Sequence, residues 1–422
     1  MKFLSYRHNH LYFEEVALHR LANEFGTPLY VYSEAALVDN FARIESAFTK
    51  MPHSICYALK ANSNPTIIRK LRDLGAGADV VSVGELNLAL KADIDPQKIV
   101  FAGVGKRDDE ILAALSKGIK GFNVESEMEL QVINQLAGDA GKSAPISLRI
   151  NPDIDIHGHP YISTGRHHDK FGIALETVRK IIGNFSTYSN CELVGLHAHL
   201  GSQVADIAPY AELGQVMRKL IQEVQAAGHR LRYIDVGGGL GVDYSQPIDV
   251  ATDALGRDDF AFDPSAIAEA ISESIGSFGI EIVFEPGRAL IANTGLLLTR
   301  VLYLKETTGK KFVIVDSGMT EMIRPSLYSA FHAIVPTNLR GGTRITADVV
   351  GPICESGDFL ARDRELPEVQ RGDVLAVLSA GAYGFTLSSN YNARPRPAEV
   401  LVSNEDVQVI RKRQSLETLW QE

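Results

Sequence analysis

Between about residue 27 and residue 285, this 422-residue chain alternates short apolar runs with amphipathic stretches. The runs are Ser54–Leu59, Ala78–Val81, Lys98–Ala102, Gly121–Val124, Ile146–Ile150, Leu193–Ala198, Tyr233–Val236 and Ile280–Phe284. Short apolar runs bounded by turns read as strands covered on both faces, the usual state of parallel strands. Asn64–Leu74, Glu125–Leu136, Leu175–Ile182 and Tyr210–Ala227 separate them and carry helical spacing. Eight strand–helix units in series predict an α/β architecture, a closed (β/α)8 barrel of the TIM type over 27–285.

After Arg288 the texture changes. Leu296–Lys305, Lys311–Asp316, Val374–Leu378 and Glu399–Val402 are rich in Val, Leu and Ile, with Gly and Pro between them. That pattern predicts a C-terminal antiparallel β-domain over 286–422. Phe3–Val16 alternates in strand fashion, so segment 1–26 is expected to join that sheet. Asp406–Glu422 carries no readable pattern.

Length and charge exclude several classes. A net charge of −10 without a basic stripe argues against nucleic acid and anionic membranes as partners. No apolar run is long enough to span a bilayer, and the N-terminus lacks a signal-peptide core. Three cysteines make no disulfide framework, so a cytoplasmic enzyme is expected.

The chemistry sits at the strand ends, where barrel enzymes keep it. Lys60 follows the first run; a lysine against apolar walls loses its proton more readily and can attack an aldehyde. Asp79 lies inside an apolar strand and needs a cation or donor, whether for a site or for structure. His199 and Ser202 follow the sixth run: a ring to lie over a flat cofactor, a hydroxyl for a phosphate. The seventh run opens into Gly237-Gly238-Gly239-Leu240-Gly241, where backbone N–H groups can approach an anion. The eighth ends in Glu285-Pro286-Gly287-Arg288, a carboxylate for a protonated ring nitrogen and a guanidinium for phosphate or carboxylate. Beyond the barrel, Cys354 and Glu355 follow a Gly-Pro turn, and the thiol is a candidate proton donor. Cys56 and Cys191 read as core. Arg324 and Tyr328 share a face if their segment is helical, with Pro325 at its start. Tyr383 stands beside glycines that open a cleft. The histidine-dense stretch with His157, His159, His167 and His168 matches no zinc spacing, so no metal is expected; it reads as a mobile loop over the barrel mouth.

These runs resemble the fold-type III pyridoxal-phosphate decarboxylases, whose alanine-racemase-like barrel carries an added β-domain. The resemblance rests on Tyr57–Asn62, His197–Gln203, Asp235–Gly241, Glu285–Arg288, Cys354–Asp358, Ala382–Gly384 and Ser389–Pro397. His159–Gly165 and Lys170–Ile173 resemble the branch that acts on diaminopimelate. It implies that Lys60 holds pyridoxal 5′-phosphate covalently; Asp79, from its place in the neighbouring strand, is counted with the cofactor-binding residues. His199 stacks on the ring, and Glu285 faces the pyridine nitrogen. Ser202, Gly238, Gly239, Gly287 and Arg288 bind phosphate, and Tyr383 touches cofactor and substrate. Arg288, Arg324 and Tyr328 hold the distal end of a small amino-acid substrate, and Glu355 takes its ammonium. Cys354 and Glu355 reach a partner's site in a homodimer with shared active sites.

A carboxylate at 285 favours decarboxylation, because it keeps the ring an electron sink; a racemase of this fold resembles the pattern with arginine there. Two arginines and an acid suit a substrate ending in a whole amino-acid group. The expected reaction is therefore meso-2,6-diaminopimelate to L-lysine, the last step of lysine biosynthesis. Ornithine, lysine, arginine or carboxynorspermidine decarboxylation is the alternative. A non-catalytic, partner-binding relative should lack the lysine, the thiol or the glutamate, and this chain has all three.

Overall fold

A computed structural model of the chain describes residues 3–156, 169–244, 260–341 and 343–420. The histidine-dense stretch, with His159–Gly165, lies outside the described residues. The chain divides into two compact units. One comprises Phe41–Gly241 and Phe260–Ala289; the other comprises Met1–Asn40, Val242–Asp259 and Leu290–Glu422.

The first unit is the barrel. Its strands are β1 (His53–Ala58), β2 (Gly77–Val80), β3 (Ile99–Phe101), β4 (Gly121–Val124), β5 (Ala144–Asn151), β6 (Cys191–His197), β7 (Tyr233–Asp235) and β8 (Glu281–Phe284). Each pairs in parallel with the next, and β8 pairs with β1, which closes the ring. Local chemistry starts the helices between them. Asn64 accepts the N–H of Thr66 ahead of helix Pro65–Asp73, and Ser82 accepts that of Glu85 ahead of Val83–Lys91. Each satisfies an N–H that the first helical turn leaves unpaired. Cys56, Val100, Val194, Tyr233 and Val283 pack inside the ring as one apolar cluster. Cys56 is buried, as expected of a core thiol, but Cys191 is only half-buried, because it begins β6 at the barrel's edge.

The second unit is a mostly antiparallel sheet. Its order is Phe359–Pro367, Arg344–Val350, Lys310–Val315, Gly295–Thr307, Leu29–Ser33, Ala398–Ser403 and Asp406–Arg411. Two of its pairings are parallel, Lys310–Val315 with Arg344–Val350 and Leu29–Ser33 with Ala398–Ser403.

Three details depart from the sequence reading. Leu29–Ser33, placed in the barrel segment from its position, lies in the middle of this sheet, buried throughout. A fully buried apolar strand looks the same in either sheet, so only its partners assign it. Segment Phe3–Val16 forms its own three-stranded sheet instead of extending the large one. Its Leu4, Tyr6, Leu11 and Phe13 share one core with Leu29, Val31, Leu296 and Val400, and the N–H groups of Leu11 and Leu339 donate to the carbonyls of Thr337 and Asn9, so it joins the unit through packing and a short backbone bridge. Asp406–Arg411 is an edge strand without a buried residue, and its short Asp-Val-Gln-Val alternation lies at the start of a charge-rich tail.

Candidate functional site

The barrel's C-terminal mouth gathers groups from β1, β2, β4, β6, β7 and β8. Lys60 leaves β1 in a single helical turn whose other two residues, Leu59 and Ala61, are buried. Its Nζ lies 3.0 Å from Oδ2 of Asp79, which β2 delivers opposite Ala58. The amine therefore sits in an ion pair, with its side chain 39% exposed, and not against the apolar wall inferred from the sequence. Asp79 is the fully buried partner. Burial and then the charge of Glu285 push its carboxyl up, and Lys60 opposes them. Its Oδ1 is buried without a hydrogen-bond partner among the described residues.

Helix Val83–Lys91 adds Glu85, whose Oε2 accepts the N–H of Val81 at 2.9 Å. Burial raises this carboxyl from 4.5 to about 7. A raised acid binds its proton more tightly when folded. Its contribution to stability is complete below pH 4.5 and is lost as pH rises through 7. The advantage of Glu85→Gln over the wild-type holoenzyme in Tm should therefore grow by a few degrees between pH 5 and 8. A pH-independent difference in calorimetry would disprove this.

β8 places the other key acid. Glu285 Oε2 lies 3.4 Å from Nε2 of His197, on β6. Asn123, on β4, donates from Nδ2 to Glu285 Oε1 at 3.2 Å and to Asp235 Oδ2, on β7, at 3.4 Å. Burial works to raise the Glu285 carboxyl. Neighbouring His197, Asp235 and Lys60 outweigh it, and Glu285 ends well below the usual carboxylate range. Asp235 goes the other way, held well above that range by burial and then by Glu285. The two neighbouring carboxyls are thus pushed in opposite directions.

Above this pair lies a bare turn. A Cβ on Gly238 would stand 2.1 Å from the carbonyl oxygen of Glu285, and Gly239 has φ of +102°. The N–H of Glu285 donates to the Gly237 carbonyl at 2.7 Å, tying the turn to β8. The N–H of Gly238 donates to Nδ1 of His199 at 3.1 Å. Burial, then the charges of Lys60 and Arg149, hold that imidazole well below its ordinary value. It is neutral, with its proton on Nε2. Gly287 leads into Arg288, whose buried guanidinium donates to Ser202 Oγ from Nε at 3.2 Å and from Nη2 at 3.0 Å.

This mouth fits pyridoxal phosphate. It offers an amine for the aldehyde and an unpartnered buried oxygen at Asp79. It adds a carboxylate for a cationic ring nitrogen, and a side-chain-free turn beside a hydroxyl and a guanidinium for the phosphate.

The remaining sequence candidates lie on the second unit. Arg324 opens helix Arg324–Tyr328, with Pro325 in its first turn as expected. It is buried, donates from Nε to His332 Nε2 at 3.2 Å, and lies 5.0 Å over the Tyr244 ring. Tyr328 is half-buried at the same helix's end. Cys354 is exposed, and its N–H donates to Asn392 Oδ1 at 3.1 Å. Glu355 accepts from the Tyr391 hydroxyl at 2.8 Å. Tyr383 is half-buried with φ of +55°, an uncommon setting for a bulky residue.

Asn123, His197 and Asp235 were not singled out by sequence. Asn123 and Asp235 carry the signal that marked Asp79, a polar residue inside an apolar strand. His197 stands two places before His199, inside a run already noted.

The family model for the pyridoxal-dependent decarboxylase, pyridoxal binding domain, matches residues 34–292. Diaminopimelate decarboxylase of Aquifex aeolicus is 47% identical over 98% of this chain and 95% of its own length. That of Vibrio cholerae is 46% identical over 100% and 98%. The solved structure of the Helicobacter pylori diaminopimelate decarboxylase complexed with L-lysine matches with a TM-score of 0.89 at 41% identity, covering 96% of this chain and 98% of that one.

Proposed function

The chain belongs to the diaminopimelate decarboxylases, within the pyridoxal-dependent decarboxylase family, and on that premise we propose that it converts meso-2,6-diaminopimelate to L-lysine with pyridoxal 5′-phosphate at the barrel mouth. One observation carries this reading: the amine of Lys60, the carboxyl of Glu285 and the Gly237–Gly239 turn converge on one rim.

When bound, pyridoxal phosphate supplies an electron sink for the pair left at the α-carbon by departing CO2. The chain's own groups do the rest. Lys60 tethers the cofactor and Asp79 orients the amine. Glu285 would set a fixed negative charge against the ring nitrogen. Neutral His199 would cover the ring, and the glycine turn, Ser202, Gly287 and Arg288 would hold the phosphate. Arg288, Arg324 and Tyr328 take the substrate's distal carboxylate, and Tyr383 borders cofactor and substrate. Cys354 of the partner subunit returns a proton to the α-carbon, with Lys60 as the alternative donor. Glu355 of the partner subunit meets the distal ammonium.

The exposure of Cys354 supports this shared site. Sedimentation tests the homodimer: a fully active monomer would remove it. The three cysteines are free, which suits the cytoplasm, and no helix among the described residues is long and apolar enough to cross a membrane. Assay of CO2 release with diaminopimelate, ornithine, lysine, arginine and carboxynorspermidine tests the substrate. Faster turnover of any of the last four would reject diaminopimelate.

A guanidinium–carboxylate contact contributes about 1.5–3 kcal/mol. Arg324→Ala should therefore raise KM for diaminopimelate about 10- to 100-fold while the bound-cofactor absorbance stays. Unaltered kinetics would take Arg324 out of the site.

A further inference from the structure

Three polar side chains that the reaction does not call on surround Glu285. Asn123, His197 and Asp235 come from three different strands and are 0%, 1% and 0% exposed. Such groups are costly in a barrel core that apolar residues would fill. Neither ring nitrogen of His197 has an aligned hydrogen-bond partner among the described residues, and neither does Oδ1 of Asn123. The fold gains little from them, so their value lies in what they do to the acid they enclose.

Their contacts are specific. Asn123 reaches both acids through one amide nitrogen, at 3.2 Å and 3.4 Å. Its own strand end is pinned: the buried Lys106 ammonium donates at 2.8 Å each to the carbonyls of Asn123 and Gly103, and it pairs with Glu129 at 2.6 Å. Asp235 turns its other oxygen, Oδ1, to the N–H of Gly237 at 2.9 Å. The same carboxyl thus touches the start of the glycine turn and the neighbourhood of Glu285. Facing groups of His197, Asp235 and Glu285 lie within 4.8 Å of one another. Further charged groups nearby are Lys60 and Asp79, paired with each other, and Arg149, which lies opposite His197 on β5 and pairs with Glu125.

We infer that Asp235 is a positioning residue for the decarboxylation: it keeps the one proton that the two carboxyls share, and with Asn123 it holds Glu285 as an oriented anion and fixes the glycine turn beside it. Two adjacent buried carboxylates cannot both ionise, so the proton must rest on one of them. The deeper burial of Asp235 and the 3.4 Å approach of His197 Nε2 to Glu285 place it on Asp235. The inference rests on the reading that Glu285 faces the cofactor ring.

An acid that works protonated has a neutral near-isostere. Asparagine at 235 keeps a carbonyl for Gly237 and presents an N–H toward Glu285, giving up only the long 3.4 Å bond from Asn123; alanine supplies neither. Asp235→Ala should lower kcat about 10- to 100-fold, the usual effect of losing a group that orients a contact residue. Asp235→Asn should recover most of that loss. The holoenzyme offers a second readout independent of turnover. The infrared difference between wild type and Asp235→Asn should contain the C=O stretch of a protonated carboxyl. An Asp235→Asn variant no better than Asp235→Ala, or a difference spectrum with carboxylate bands alone, overturns the inference. Glu285→Gln, measured alongside, separates the two claims. Near-wild-type turnover there removes Glu285 from the ring and the inference with it. A large loss there, together with failed rescue by Asp235→Asn, leaves Glu285 in place and removes the proton from Asp235.

Discussion

Lys60→Ala is expected to lower lysine formation from diaminopimelate by at least about 10³-fold, within the range that a reacting proton-transfer group supplies. The loss should fall on chemistry, not on folding. The Lys60 side chain is 39% exposed, so its removal opens no cavity in the core. Asp79 loses its cation, but its carboxyl already lies high through burial and Glu285, so it takes up a proton instead of standing as an unpaired buried charge. Thermal melts of variant and wild-type apoprotein should therefore agree within a few degrees. The covalent role has its own signature. Borohydride should fix pyridoxyl label on the peptide containing Lys60 in the wild type and on no peptide in the variant. Added methylamine should restore part of the turnover. Label at another lysine, or wild-type turnover in the variant, would end the proposal for this residue.

The gathering of these residues at one rim is legible in the sequence, and the reason is topological. A barrel brings the C-terminal ends of all its strands to one rim, so residues such as Lys60, His199 and Glu285, far apart in sequence, needed only correct strand ends to be grouped. Strand existence depended on apolar runs, which are strong signals, and the eight barrel strands follow them. Partnership is different. Leu29–Ser33 is as apolar as any barrel strand, yet hydrogen-bonds between Gly295–Thr307 and Ala398–Ser403. No local pattern encodes that choice. Charge state was equally hidden. Asp79 was visible as an acid that needed a partner, but its pairing with Lys60 depends on β1 and β2 lying side by side. Asp235 was visible as an acid at the end of an apolar strand, opening the run Asp235–Gly241. Its protonation depends on Glu285, which the chain delivers fifty residues later, and on burial, which no composition window reports.

Glu285→Gln is expected to lower kcat about 10²- to 10³-fold, as removal of one preorganised electrostatic group typically does, while KM for diaminopimelate changes little. Glutamine fills the same space and can keep a contact with Asn123; it lacks only the charge. A loss in kcat without a loss in KM marks an interaction stronger in the transition state than in the ground state. The effect is large because the site is dry: Glu285 is 5% exposed, and its field meets little solvent screening. The pH profile adds a sign. Glu285 lies well below the ordinary carboxylate range, so it stays ionised as pH falls to 5, and no acid limb of wild-type kcat above that pH belongs to it. The Glu285→Gln profile should therefore run parallel to the wild type between pH 5 and 8, displaced downward by one factor throughout. A wild-type acid limb that vanishes in Glu285→Gln would mean that this carboxyl titrates in the working range, and the fixed anion at the barrel mouth would have to be abandoned.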